Sequence, residues 1–415
     1  MNIVNNVTGF EILDSRGKPS VMVRCTLNSG ASAYASVPSG ASTGSMEAHE
    51  LRDHDLSRFG GNGCLKVVDA INTVINSQLK GKSFNSQQDL DQCLIKLDGT
   101  SNKSELGANS ILAVSLAYAK AASKSAGKPL FKHLSDESGL EPSIPRPMIN
   151  LFSGGKHGGK QTSIQDLQLL LPENTSIQSN LKVFYDIYYS AAARMKRNHG
   201  LRLLRADEGG LAPPFKNSEA MFQEAVAVVE EAGYIPGKDI FFAVDVAATH
   251  FYDGTSYLLD GNKLESEEVI NLLSAWREKY PIVSIEDGLA ENDWPGWGKL
   301  MDKIGQQTMV LGDDLLCTNP SLIRKAIQEQ AANSLLLKVN QIGTLTEAFK
   351  AYKLAKSQGW SVVFSARSGE TEDNWLADLA VGWGGDYIKI GSITQSDRLS
   401  KYNRLLVIES EFGQY

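Results

Sequence analysis

Five short apolar runs in the second part of the chain each end in a charged residue, the acids first and the lysines after. They are Ala-Val-Asp245, Ser-Ile-Glu286-Asp287, Leu-Gly-Asp313-Asp314, Leu-Leu-Lys338 and Tyr-Ile-Lys389. One charge at the end of an apolar run marks only where the chain meets water. A succession of them predicts parallel strands whose C-terminal ends converge on one mouth. The apolar runs are 164–171, 240–247, 282–286, 309–313, 334–339, 361–365 and 387–390, with helical patterns between them. Strands alternating with helices argue for a parallel α/β architecture. About 250 residues of this kind is the usual size of a (β/α)8 barrel. An open doubly wound sheet is the alternative, but no glycine-rich dinucleotide fingerprint follows a strand.

The first part of the chain reads differently. Residues 3–13, 20–28 and 31–37 look like a strand meander, with Gly17 and Gly30 at turns. Helical patterns follow at 63–80, 86–96 and 107–126, the last rich in Ala and Leu and expected to be buried. Proline-containing Glu141 to Pro147 looks like the boundary. The expectation is an N-terminal α+β capping domain, 1–138, and a barrel, 139–415, with its site at the C-terminal strand ends.

Composition narrows the function classes. The 415 residues are 42% hydrophobic and 21% charged, a globular balance, with a net charge of -7. That sign argues against a nucleic-acid backbone or an anionic membrane as the main partner. The basic runs Arg194 to Arg197 and Arg202 to Arg205 are short and read as a solvated helix end and loop. Cys25, Cys64, Cys93 and Cys317 form no CxxC pair, which fits a reducing compartment, and Cys25 reads as a small buried hydrophobe. Met1 to Phe10 lacks the features of a signal peptide. No apolar run approaches the roughly 20 residues of a membrane span. The cytoplasm is the expected location.

Three carboxylates at one mouth repel one another unless a cation lies between them, and hard oxygen ligands suit Mg²⁺. Asp245, Glu286 and Asp313 are therefore the expected metal site; the bland alternative is a set of unrelated ion pairs. Lys338 and Lys389, beside a dication, are expected to have lowered pKa values, one serving as general base and the other holding an anion. Pairing of a lysine with one of the acids is the competing arrangement. Arg367, Ser368 and Gly369 make a plausible phosphate grip: a planar fork, a hydroxyl and close backbone approach. Glu208 and His157 lie on glycine-rich loops, and Pro38 to Gly44 looks like a mobile lid.

Together these segments resemble the enolase family, the phosphopyruvate hydratases. The resemblance includes Asp14-Ser15-Arg16-Gly17, the lid from Ser39, Leu97-Asp98-Gly99-Thr100, Asp207-Glu208-Gly209-Gly210, Ser284 to Asp287, Leu335 to Thr344 and Arg367 to Asp373. It runs from Ile3 to Glu409. It implies Mg-dependent dehydration of 2-phosphoglycerate to phosphoenolpyruvate with two ions. Lys338 is then similar to the family's base and Glu208 to its acid. Asp245, Glu286 and Asp313 are similar to the ligands of the tighter ion, and Ser39 to the lid residue on the second. Arg367 and Ser368 resemble the phosphate contacts, Lys389 the carboxylate contact, and His157 the loop histidine that closes over the substrate. A homodimer is implied as well.

The departures from the family fall in the same places. Gln165-Asp166 stands where Gln-Glu is usual, one methylene shorter. Ala366 replaces a histidine of the phosphate grip, Ala206 a glycine before Asp207, and Ile390 a threonine after Lys389. Two Arg–Glu pairs of the family's dimer interface correspond here to Phe10 with Ser410 and Met22 with Val407. Loss of both charges from each pair is expected to reflect an interface re-made with apolar contacts, the alternative being a weakened dimer. An enolase-like enzyme of phosphonate metabolism, such as a carboxyphosphonoenolpyruvate synthase acting on 2-phosphoglycerate with a phosphonate partner, is the alternative activity. A non-catalytic scaffold ranks last, since the base and the metal acids are all present.

Overall fold

Alternation of apolar and polar residues lays down the first sheet. In a computed structural model, which describes residues 2–200 and 204–412, β1 (Asn2–Leu13) and β2 (Pro19–Leu27) pair antiparallel, and β3 (Ser32–Ser36) adds to β2. The short β4 (Ser83–Phe84) pairs with β1, giving the order β3-β2-β1-β4. Val4, Val7, Val21, Val23, Cys25, Ala33 and Ala35 point to one face and are buried. That face is covered by the helix Ala108–Ser125, where Ile111, Leu112, Leu116 and Tyr118 are buried. Truncating one of its leucines to alanine costs about 2–5 kcal/mol in such a setting. The helix Gln87–Asp98 begins where the Ser86 hydroxyl accepts the Asp89 N–H. It ends at Gly99, whose φ of 73° needs no side chain.

The second unit is a closed barrel. Its strands are β5 (Arg146–Ser153), β6 (Asp166–Leu170), β7 (Phe241–Asp245), β10 (Ile282–Glu286), β11 (Met309–Gly312), β12 (Ser334–Leu337), β13 (Ser361–Ser365) and β14 (Tyr387–Gly391). A small hairpin, β8 (Tyr257–Leu259) with β9 (Asn262–Leu264), lies outside it. The barrel order is β10-β11-β12-β13-β14-β5-β6-β7.

One feature extends the sequence reading and another corrects it. The stretch read as a boundary, Glu141 to Pro147, runs into β5, which pairs parallel with β14 through Pro147 and Ile388. A proline near a strand start removes only an N–H that lies at the margin of the ladder. The barrel is also not all-parallel: β6 runs antiparallel to both β5 and β7. No helix separates β5 from β6, so the chain turns straight back. Two helices, Ile177–His199 and Ser218–Glu231, then follow β6 in succession. From β7 onward the strands are parallel, as expected.

Arg194 and Arg197 lie in the last turns of the helix Ile177–His199 and pair with Glu224 and Glu231, which agrees with a solvated helix end. Arg202 and Leu203 of the second basic run lie outside the described residues. All four cysteines are free, and Cys25 is buried. Among the described residues, no helix is long and apolar enough to cross a membrane.

Candidate active site

Parallel register carries the strand-end charges to a common rim. Asp245 and Glu286 are direct cross-strand partners, and Glu286 aligns with Leu311 two residues before Asp313. All three are buried. The lysines sit among them. Lys389 Nζ lies 3.0 Å from Asp245 Oδ2 and 2.8 and 2.7 Å from the two oxygens of Glu286. Lys338 Nζ pairs with Asp313, whose other oxygen accepts from Gln341 Nε2 at 2.8 Å.

The lysines take the competing arrangement, each paired with acids of the rim, and these pairs raise their pKa values where a neighbouring dication would lower them. Burial opposes the charge on Lys338, but Asp313 outweighs it and the ammonium is held above its ordinary value. Burial likewise opposes the charge on Lys389, and Asp245 with Glu286 lifts it well above. The nearest charges to each ammonium are carboxylates, so attraction decides the sign. The acids divide unequally. Burial works against charge on Asp245, yet Lys389 and His157 draw its carboxyl down to about 2. Burial and repulsion from Asp245 push Glu286 well above the usual carboxylate range, even with Lys389 beside it.

A second acidic group adjoins the first. Asp287, Asp313 and Asp314 offer oxygens close enough to hold one cation. Asp287 accepts the backbone N–H of Asp313 at 3.0 Å and of Asp314 at 2.9 Å. Burial and the charge of Asp313 push Asp314 up to about 7. Sequence reasoning passed over Asp287 and Asp314, although the doublets Glu286-Asp287 and Asp313-Asp314 were its available signal. The buried acids could therefore hold a metal.

Across the mouth, His157 Nδ1 lies 2.7 Å from Asp166 Oδ2, and Ser153 Oγ donates to Asp166 Oδ1 at 2.6 Å. The shorter aspartate side chain thus reaches both neighbours directly. Glu208 completes this group and accepts from Asn150 Nδ2 at 3.0 Å. Gln165 Nε2 donates to Asp245 Oδ2 at 3.1 Å. Burial opposes charge on His157, but Asp166 and Glu208 outweigh it and hold the imidazole at about 9. Burial disfavours the charge of Glu208, yet His157, Arg398, Lys389 and Lys338 hold its carboxyl below the ordinary value. His157 is therefore expected to be charged at neutral pH, and NMR of its ring nitrogens should show one titration near 9. Because the folded value lies above the ordinary 6.5, this group's stabilisation is full below about 6.5. It fades as pH rises through 9. An Asp166→Asn variant should titrate lower, and an unchanged midpoint would refute the pairing.

The lid is clasped to the barrel. Ser39 exchanges backbone hydrogen bonds with Gly369, at 2.8 and 2.9 Å. The Ser39 hydroxyl donates to Glu50 Oε2 at 3.0 Å. Arg367 presents its fork to Glu47, with contacts of 3.0 and 3.1 Å, and donates to Ser42 O at 2.7 Å. A Cβ on Gly40 would lie 2.6 Å from the backbone oxygen of Ser42 and run into that guanidinium, so a side chain there would disturb the clasp. Ser368 Oγ accepts the Ala41 N–H at 2.7 Å and lies 3.3 Å from Arg16 Nη1. Ala366 is buried and donates its N–H to Lys389 O at 2.8 Å. The partner residues Glu47 and Asn150 carried no local pattern that would single them out, and Arg16 stood in a resembling segment without an assigned role.

Two family models account for nearly the whole chain. The one described as "Enolase, N-terminal domain" matches residues 4–134, and "Enolase, C-terminal TIM barrel domain" matches residues 141–415. With the capping sheet, the mixed barrel and the charged rim described above, these matches establish that the chain belongs to the enolase family.

Proposed function

We propose that the chain is a hydro-lyase that removes water from 2-phosphoglycerate to give phosphoenolpyruvate, with two Mg²⁺ ions. The observation that carries this reading is the company of Lys338: a buried ammonium on a barrel rim with Asp245, Glu286, Asp313 and, opposite, Glu208. Proton removal beside a carboxylate needs a base and strong positive charge, and enolase-superfamily sites are a known example of lysine with Mg²⁺ in that use. The donor set fits such an ion. It is all oxygen, and burial together with repulsion from neighbouring acids holds Glu286, Asp287 and Asp314 above the ordinary carboxylate range, which a cation among them would relieve. Asp245, Glu286 and Asp313 would hold one ion and Ser39 would contact the other. The ions would supply positive charge beside the substrate carboxylate.

The side chains divide the remaining work. Lys338, once neutral, takes the proton from C2. Glu208, once protonated, gives a proton to the hydroxyl leaving C3. The C2–C3 double bond forms and water departs. Arg367 and Ser368 grip the phosphate, which must compete with Glu47 for the guanidinium. Lys389 and Gln165 face the carboxylate end, and His157 with Asp166 closes the other side. The test is absorbance of phosphoenolpyruvate after 2-phosphoglycerate and Mg²⁺ are added. We expect turnover that a chelator abolishes.

A second reading rests on Ala366. Its methyl group offers no donor beside the phosphate grip, which leaves room for a different phosphorus group. An enolase-like enzyme of phosphonate metabolism is that alternative. Bound Mg²⁺ without turnover of 2-phosphoglycerate would favour it.

A homodimer belongs to the same proposal. Phe10, Met22 and Tyr34 share the outer face of the sheet, with Tyr34 45% exposed, and Val407 is 45% exposed on the C-terminal helix. Apolar groups left in water at charge-free positions fit a covered face. Met22→Asp is expected to shift light scattering from dimer to monomer mass, and a monomeric wild type would refute this.

A further inference from the structure

Beneath the charged rim runs a row of mostly polar side chains, several of whose polar atoms lack partners among the described residues. Strand periodicity places Gln168 one layer below Asp166, Ala243 below Asp245 and Ser284 below Glu286, since side chains two apart share a face. Asn150 is the cross-strand partner of Gln168, Gln168 of Ala243, and Ala243 of Ser284. These four residues thus form one continuous row inside the barrel. Ala243 packs with Met148, Leu170, Leu311, Leu336 and Val363 in an apolar cluster of the barrel.

Every polar member of the row is at most 1% exposed. Neither amide atom of Gln168 has a hydrogen-bond partner among the described residues, nor has Ser284 Oγ, nor Asn150 Oδ1. Buried polar groups in folded proteins nearly always find a partner in the protein or in ordered water. The four atoms belong to one row of cross-strand positions, they include donors and acceptors, and an internal water makes two to four hydrogen bonds. Ala243, with only a methyl group, stands between Gln168 and Ser284 in the row. The other half of Asn150 is already committed: its Nδ2 donates to Glu208.

We propose that this row is a seat for ordered internal water, joining Gln168 and Ser284 to Asn150 and, through Asn150, supporting Glu208 from below. Gln168 is then a positioning residue. It touches no substrate and acts by fixing Asn150. The hydration follows from the fold; only its kinetic consequence rests on the function proposed above.

A high-resolution crystal structure of the full chain is the first test. Density for water within hydrogen-bond distance of Gln168 and Ser284 is expected. A dry layer, with the Gln168 amide bonded straight to Asn150 or Ser284, would overturn the proposal. Gln168→Met keeps the length and removes both polar atoms. With water in place, the variant should lose that density and melt lower than the wild type. If the amide is simply stranded, the variant should melt higher, which also overturns the proposal. Ser284→Ala, a smaller change, should remove or displace the same density. In turnover, Gln168→Met is expected to lower kcat several-fold at nearly constant KM and to move the limb of the pH profile that Glu208 sets. An unmoved profile would remove the positioning role. If the wild type does not turn over 2-phosphoglycerate, the proposed function fails, while the density and melting results still decide the hydration.

Discussion

Replacing Lys338 with alanine is expected to lower phosphoenolpyruvate formation by about 10²–10⁴-fold, the usual range for a positioned general base. Lys338 Nζ is fixed by Asp313, and its backbone N–H donates to Thr318 Oγ1 at 2.9 Å, so the side chain has little freedom to be replaced by solvent. The same ion pair offers a rival explanation: alanine could act by disturbing Asp313. Lys338→Arg separates the two. Arginine keeps the positive charge beside Asp313 but does not give up its proton in proteins. If Lys338 is the base, arginine is as inactive as alanine. If it is only a counter-ion, arginine retains much of the activity, and the assignment fails. Magnesium binding by calorimetry should survive in the alanine variant, because removing the ammonium leaves Asp313 freer to serve as a ligand.

The residues that point at this mouth were legible because strand period and charge coincide. Asp245, Glu286, Asp313, Lys338 and Lys389 each terminate an apolar run, and parallel register brings Asp245 level with Glu286. Which arrangement the lysines take, beside a dication or paired with an acid, was not legible. It depends on which charge lies nearest, and no spacing encodes the 2.7 Å approach of Lys389 to Glu286. The strand β5 was hidden by its own Pro147, which reads as a linker residue until its pairing with β14 is seen. The reversal of β6 was hidden as well. Its run of apolar residues has the same appearance in either direction, and only the missing crossover helix decides. Long-range clasps such as Arg367 with Glu47, 320 residues apart, leave no local trace. The unpaired row of Gln168 and Ser284 is similar: each is an ordinary polar residue within a strand until the barrel closes around it.

Lys389→Met is expected to be the most destabilising substitution in the site, and one that magnesium should largely repair. Lys389 is 4% exposed and is hydrogen-bonded to both Asp245 and Glu286. Methionine preserves most of the volume, so packing changes little and the loss is electrostatic. Two buried carboxylates then face each other without the ammonium, and breaking such a pair costs about 3–5 kcal/mol. Chemical unfolding in the presence of chelator should show a midpoint well below that of the wild type. A ligand that binds only the folded state stabilises it by about 2.7 kcal/mol at a hundred times its dissociation constant. In the variant magnesium would replace the missing positive charge, whereas in the wild type it must share the carboxylates with Lys389. The rise in midpoint on adding Mg²⁺ should therefore be larger for the variant. Acid should help in the same direction. Without Lys389 the folded carboxyls lie above their unfolded values, so the folded state binds more protons than the unfolded chain. Its stability then increases as pH falls toward the ordinary carboxylate range, about 4. A variant that is as stable as the wild type in chelator would mean that Asp245 and Glu286 already share a proton and need no cation. A large loss that Mg²⁺ repairs no better than in the wild type would mean that these carboxylates are an ion-pair network rather than a metal site.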